Sequence, residues 1–95
     1  MWTGVVRSED RERYAVYVER TGMTAYRGTP GNLDAWLLTR DLGHGRTEIT
    51  TVSRWESFEV IAAFAGDDIE KAVFYPEDDE FLIDRDERVR HYRQV

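Results

Sequence analysis

Three side chains carry groups that could do proton chemistry on an organic ligand: His91, Trp55 and Tyr75. An imidazole titrates near neutral pH, so His91 could act as the general base for a phenol or enol proton. The indole N–H of Trp55 could orient a substrate carbonyl or an oxygen species, and the Tyr75 hydroxyl could donate a hydrogen bond into a cavity. Each also has a purely structural interpretation: a hydrogen-bonded strand histidine, a core tryptophan, and a tyrosine that anchors a helix end by packing.

Aromatic residues without polar groups are the candidates for lining a substrate pocket. Apolar residues at helical spacing are equally typical of a hydrophobic core, so the core interpretation stays open for them. The second histidine, His44, lies between two glycines at a predicted hairpin tip, where we expect it to be exposed. The candidate pocket residues are Phe58, Phe64, Phe74 and Phe81.

The sequence predicts neither a metal nor another cofactor. It contains no cysteine, which excludes disulfides, thiolate nucleophiles and cysteine-ligated metals. Acidic residues cluster at 67–68 and 77–80, but without the glycine-containing spacing of a calcium loop. Neither a Ser-His-Asp arrangement nor a glycine-rich phosphate loop is present.

The length and charge of the chain limit the kinds of partner that it can have. Ninety-five residues make one domain, which we place at residues 1–95, and a chain this short buries a modest core. A net charge of −6 disfavours nucleic acid, because phosphate binding needs a basic face. No apolar run approaches the roughly 20 residues of a membrane span, and the N-terminus acquires charge too quickly for a signal peptide. We therefore expect no membrane partner and a cytoplasmic location.

The chain alternates strand and helix patterns in an order that indicates the fold. Gly22 and Gly66 are typical helix ends, and the glycines around His44 predict a tight hairpin. The expected order is strand, helix, strand, strand, helix, strand, which is the ferredoxin-like βαββαβ arrangement. It predicts an α+β domain with a four-stranded antiparallel sheet and helices on one face. We expect strands at residues 2–7, 32–41, 47–54 and 89–95, helices at residues 10–21, 58–65 and 68–74, and irregular structure at residues 77–86.

The second strand carries large apolar side chains on both faces. Ala35 and Leu37 point to one side of a regular strand, and Trp36 and Leu38 point to the other. A sheet with one wet face would alternate cleanly between apolar and polar residues. We therefore expect both faces to be covered, the second one by another copy in a two-fold homodimer.

Four stretches form a familiar pattern: the hairpin after Pro30-Gly31-Asn32, residues 52–68, residues 72–82, and residues 89–92, V-R-H-Y. Through them, nearly the whole chain resembles the antibiotic biosynthesis monooxygenase-like family of the dimeric α+β barrel superfamily. It implies a homodimer whose two sheets pack into a barrel, with a cavity between each sheet and its helices. It also places Trp55 where the family has a pocket tryptophan.

The resemblance implies two alternative functions. One is a cofactor-independent monooxygenase, or a related isomerase, for a small aromatic or quinone-like molecule, with His91 as base and with Trp55 and Tyr75 holding the substrate. The other is a non-enzymatic small-ligand-binding or stress-related homodimer. Haem-degrading relatives need an asparagine on the first strand and a histidine on the helix after Trp55, and this sequence has neither.

Overall fold

A four-stranded antiparallel sheet organises the chain in a computed structural model that describes residues 1–95. The strands are β1 (Trp2–Arg7), β2 (Asn32–Gly43), β3 (Arg46–Trp55) and β4 (Leu82–Arg85). Their order in the sheet is β2-β3-β1-β4. This α+β architecture is compatible with the ferredoxin-like arrangement expected from the sequence, because the two edge strands are the second and the fourth. The helices are α1 (Arg11–Val18), α2 (Thr24–Arg27), α3 (Phe58–Ala65) and α4 (Asp78–Phe81).

The β2–β3 hairpin is the longest pairing in the sheet. Its register joins Asn32 to Trp55 at one end and Gly43 to Arg46 at the other. The turn needs three left-handed residues, with φ of +81° at Gly43, +54° at His44 and +71° at Gly45. Glycine adopts this region without strain, which is why the pattern predicted the hairpin correctly. His44 is exposed, as expected.

The first helical segment is longer than predicted. The prediction that it ends at Gly22 is wrong, because a π turn over Glu19–Met23 connects α1 directly to α2. The buried residues Val18 and Met23 are five positions apart, which fits the wider π turn and not the three- or four-residue spacing of an α-helix. The five-residue spacing interrupts the helical pattern of apolar residues in the sequence. Residues 23–31 were therefore predicted to be a loop, although Thr24–Arg27 is helical.

The last third of the chain departs from the prediction in three places. The predicted helix at residues 68–74 is absent, and Asp68 and Glu70 instead form ion pairs with Arg88, at 3.1 and 3.3 Å. The predicted strand at residues 89–95 is also wrong, since the fourth strand is Leu82–Arg85, paired with β1. Residues 77–86 were expected to be irregular, but they contain α4 and β4. Helix α3 and its end at Gly66 are confirmed.

The core lies between the sheet and the first helical segment. Tyr14 and Met23 are fully buried there against Val6 and Ile49 of the central strands. On the opposite face of the sheet, Trp36 and Leu38 are 38% and 50% exposed. None of the helices is both long and apolar enough to cross a membrane.

Candidate functional site

A groove of about 460 Å³ opens where β3 runs into α3. Its walls are the last residues of β3, the first turn of α3 and the C-terminal segment 90–94, which crosses opposite them. The backbone N–H of Arg90 donates to the carbonyl of Met1 at 2.9 Å and so holds this segment against the start of β1. Two of the three predicted chemical residues, Trp55 and His91, line this groove together with Phe58.

Trp55 is the last residue of β3, and its ring is half-buried. Its indole Nε1–H donates to the Ser53 hydroxyl oxygen at 2.8 Å. The ring packs edge-on against Tyr26, with centroids 5.8 Å apart and an interplanar angle of 84°. Trp55 is therefore a rigid aromatic wall whose N–H already has a partner within the chain.

The imidazole of His91 is oriented by the backbone. Its Nε2 lies 2.6 Å from the carbonyl oxygen of Ile69. A carbonyl only accepts hydrogen bonds, so Nε2 carries a hydrogen and donates. In the neutral ring, Nδ1 is then the atom with the free lone pair, which makes it the basic atom of His91. Phe58 packs against the imidazole, with ring centroids 6.3 Å apart.

Tyr75 lies apart from Trp55 and His91, in a second cavity of about 50 Å³ between the π turn and residues 72–75. Its backbone N–H donates to Asp78 Oδ2 at 2.7 Å. The other carboxylate oxygen, Oδ1, accepts from the Tyr14 hydroxyl at 3.0 Å. The structure thus brings the backbone of Tyr75 to the buried carboxylate of Asp78, one of the acids in the cluster at 77–80.

The four candidate phenylalanines do not form one pocket. Phe58 lines the groove, whereas Phe64 lines a narrow cavity of about 20 Å³ that Trp55 and His91 also border. Phe74 borders the cavity beside Tyr75. Phe81 belongs to the core, where its ring lies 5.4 Å from Tyr14.

Tyr26 is one of three residues, with Val73 and Val89, that border both of the smaller cavities, and the sequence did not single it out. It borders both the 50 Å³ and the 20 Å³ cavities and packs on Phe64 with centroids 4.7 Å apart. It escaped notice because it lies beyond the π turn, in a segment that read as a loop. Tyr26 follows Met23 by three residues, and this helical spacing was the one sign in the sequence that both lie on the same face of a helix.

Burial raises the pKa values of the tyrosine hydroxyls near Asp78. Desolvation, followed by the negative charge of Asp78, raises the pKa of Tyr14 far above its ordinary value. The same two causes raise the pKa of Tyr17 to about 12. Burial also raises the pKa of Tyr26. These three phenols therefore remain protonated near neutral pH and do not act as bases.

No three His, Asp or Glu side chains lie close enough together to hold a metal ion. No protein-family model matches the chain, and neither the curated proteins nor the solved structures give a match. The resemblance to the antibiotic biosynthesis monooxygenase-like family therefore stays a prediction from the residues that carry it.

Proposed function

We propose that the protein is a cofactor-independent monooxygenase that oxidises a small aromatic or quinone-like substrate in the groove between Trp55 and His91. The observation that supports this is the groove itself: about 460 Å³, with an oriented imidazole and aromatic rings on its walls. Sites for small organic ligands span roughly 300–1,000 Å³ and combine apolar walls with a few polar groups.

The proposed reaction begins with transfer of a substrate O–H proton to His91 Nδ1. The resulting phenolate is electron-rich enough to react with dioxygen, so the substrate itself supplies the electrons. For a hydroquinone, one oxygen atom becomes the new hydroxyl of a hydroxyquinone, and the other leaves as water with two substrate hydrogens. Trp55 and Phe58 hold the ring in this proposal. Tyr75 is assigned no substrate contact, since it faces the other cavity.

The test is dioxygen consumption by purified protein with a panel of hydroquinones. His91→Gln is the informative variant, because glutamine keeps an N–H donor for the Ile69 carbonyl but offers no base. We expect turnover to fall about 10²- to 10⁴-fold, which is the usual contribution of a general base, and its pH profile to change.

His44→Gln is the matched control, since His44 is exposed at the hairpin tip far from the groove walls. It should keep wild-type turnover. Full turnover in His91→Gln would contradict the assignment of the base, and the absence of turnover with every hydroquinone would contradict the proposed enzyme.

A second candidate function is binding without chemistry, by a small-ligand-binding or stress-related protein. The internal hydrogen bonds favour it: Trp55 Nε1 donates to Ser53 and His91 Nε2 to Ile69, so both rings are already tied to the chain. Tight binding of a hydroquinone with no dioxygen consumption would support this function over the first.

We also propose that the protein is a cytoplasmic homodimer in which the open faces of two sheets pack together as a barrel. The exposed Trp36 and Leu38 on that face support this arrangement, because their burial would contribute apolar surface that the single chain leaves in water.

A further inference from the structure

Three arginines line the groove of an otherwise acidic protein. The chain has a net charge of −6, yet the groove is lined by Arg54, Arg90 and Arg93 with Glu56 as the only acid. A cation on a concave surface favours an anionic occupant there when no carboxylate of the chain already neutralises it.

Two of these arginines are neutralised within the chain. Arg54 makes a two-pronged contact with Asp34, at 2.9 Å from Nε and 2.8 Å from Nη2. Arg90 pairs with Asp86 at 3.1 Å. Their charges are therefore already compensated, and a ligand gains little from either of them.

Arg93 makes no ion pair with a carboxylate. Its guanidinium carbon instead lies 4.6 Å from the centroid of the Phe58 ring. The pKa of Glu59 is held low first by hydrogen bonds from its own backbone and from Ser57, with Arg93 only the last contributor. Stacking on an aromatic ring orients the guanidinium plane and leaves its N–H edges available to a planar anion.

We infer that this groove binds a small aromatic carboxylate, with the carboxylate on Arg93 and the aromatic ring against Trp55 and Phe58. The inference rests on the proposed function for the position of the ring, and it adds the substrate class. A carboxylate matches the fork of a guanidinium, and such charge-assisted pairs are about twice as strong as neutral hydrogen bonds. The ring of the ligand would then lie on the aromatic surface of the groove, and its carboxylate on the cationic surface.

Two probes that differ only in the carboxylate test this inference: 1,4-dihydroxy-2-naphthoate and 1,4-dihydroxynaphthalene. Binding is measured without oxygen, by quenching of tryptophan fluorescence and by calorimetry. We expect the carboxylate to bind about 10-fold to 100-fold more tightly at low salt. The preference should shrink in 1 M salt, because Arg93 is exposed to solvent.

Arg93→Gln should bring the affinity for the carboxylate down to that for the neutral compound. Arg93→Lys should retain part of the preference, since it keeps the charge but not the planar fork. Arg40→Gln is the matched control, because Arg40 is an exposed hairpin arginine paired with Glu48 at 3.0 Å. It should leave the preference intact.

Different results would contradict the aromatic-carboxylate site and the monooxygenase activity. Equal affinities for the two naphthalenes, or a preference that survives Arg93→Gln, would overturn the aromatic-carboxylate site even if hydroquinones are oxidised. An Arg93-dependent preference without any dioxygen consumption would support the site and count against the monooxygenase.

Discussion

Asp78 is a buried carboxylate that joins two parts of the chain. It is 5% exposed and accepts hydrogen bonds from the Tyr14 hydroxyl and the Tyr75 backbone. It thereby ties α1 to the irregular segment before α4. Tyr17, one helical turn from Tyr14, has a buried hydroxyl without any hydrogen-bond partner. The hydroxyl groups of the two tyrosines therefore contribute differently to the stability of the fold.

Removing the two hydroxyls should have opposite effects on stability. Tyr14→Phe leaves one oxygen of a buried carboxylate without its donor, which costs about 1–3 kcal/mol of unfolding free energy. Tyr17→Phe removes a polar atom that gains nothing from burial, so the unfolding free energy should stay the same or rise by up to about 1 kcal/mol. Urea denaturation of the two variants measures both values.

The aromatic packing is nearly the same in the two variants, because both rings remain next to Phe81. The comparison therefore isolates the hydroxyl groups. Equal destabilisation by the two substitutions would contradict the separate assignments.

At the scale of elements, Gly31 sets how closely the turn before β2 approaches α3. Its φ is +92°, and a Cβ atom there would lie 2.7 to 2.8 Å from the Cβ and Cγ atoms of Val60. Its carbonyl accepts the backbone N–H of Glu56 at 2.9 Å. Only glycine combines this backbone conformation with this close approach.

Gly31→Ala should destabilise the protein by about 2–5 kcal/mol, from left-handed strain plus overpacking against Val60. Gly43→Ala is the control, because Gly43 has a φ of +81° with nothing within 4 Å of the added methyl group. It should lose only about 1–2 kcal/mol. Thermal and urea unfolding compare the two variants. Gly31→Ala combined with Val60→Ala should recover only the part of the loss that comes from the Cγ atoms of Val60, because its Cβ atom stays 2.7 Å from the added Cβ.

The sequence predicted elements whose signals are local. The first three strands and α3 lie where β-branched runs, glycines and helix punctuation placed them. The fourth strand, Leu82–Arg85, has four residues of which two are charged, and it forms because β1 offers a free edge. The acids of the predicted helix at 68–74 pair with Arg88, about 20 residues away, and no local pattern reports such a contact.

The candidate site was predictable in part for the same reason. Trp55 follows a recognisable strand, and its position at the groove agrees with its place at a strand-to-helix junction. His91 also borders the groove, although the strand predicted to carry it is absent. The separation of Tyr75 from both depends on the path of residues 66–77, which make tertiary contacts with Arg88 and Val89 that no local pattern reports. Tyr26 and Arg93 gain their significance only from what they pack against.

At the scale of the whole molecule, the open face of the sheet leaves large apolar side chains in water. Trp36 and Leu38 lie next to each other along β2, on the side away from the core residue Ala35. A patch of large apolar side chains on the surface of a single chain often marks a site where a partner binds. The proposed homodimer gives them this partner.

Trp36→Glu should convert the dimer into a monomer, because each charge would be buried near its symmetry mate with no opposite charge. Val16→Glu is the matched control, since Val16 is 62% exposed on α1, outside the sheet face. Light scattering at micromolar concentration measures the mass of both variants. A wild-type protein that is already monomeric at that concentration would contradict the proposed dimer and its barrel.

The π turn at Glu19–Met23 has a consequence for comparing this chain with others. A π turn holds about one residue more than the α-helical turn that it replaces. The additional residue keeps Met23 and Tyr26 directed at the sheet, where an uninterrupted α-helix would have turned them by about 100°. An alignment that forbids gaps inside helices would therefore match Tyr26 to the wrong residue of any chain whose helix is uninterrupted here.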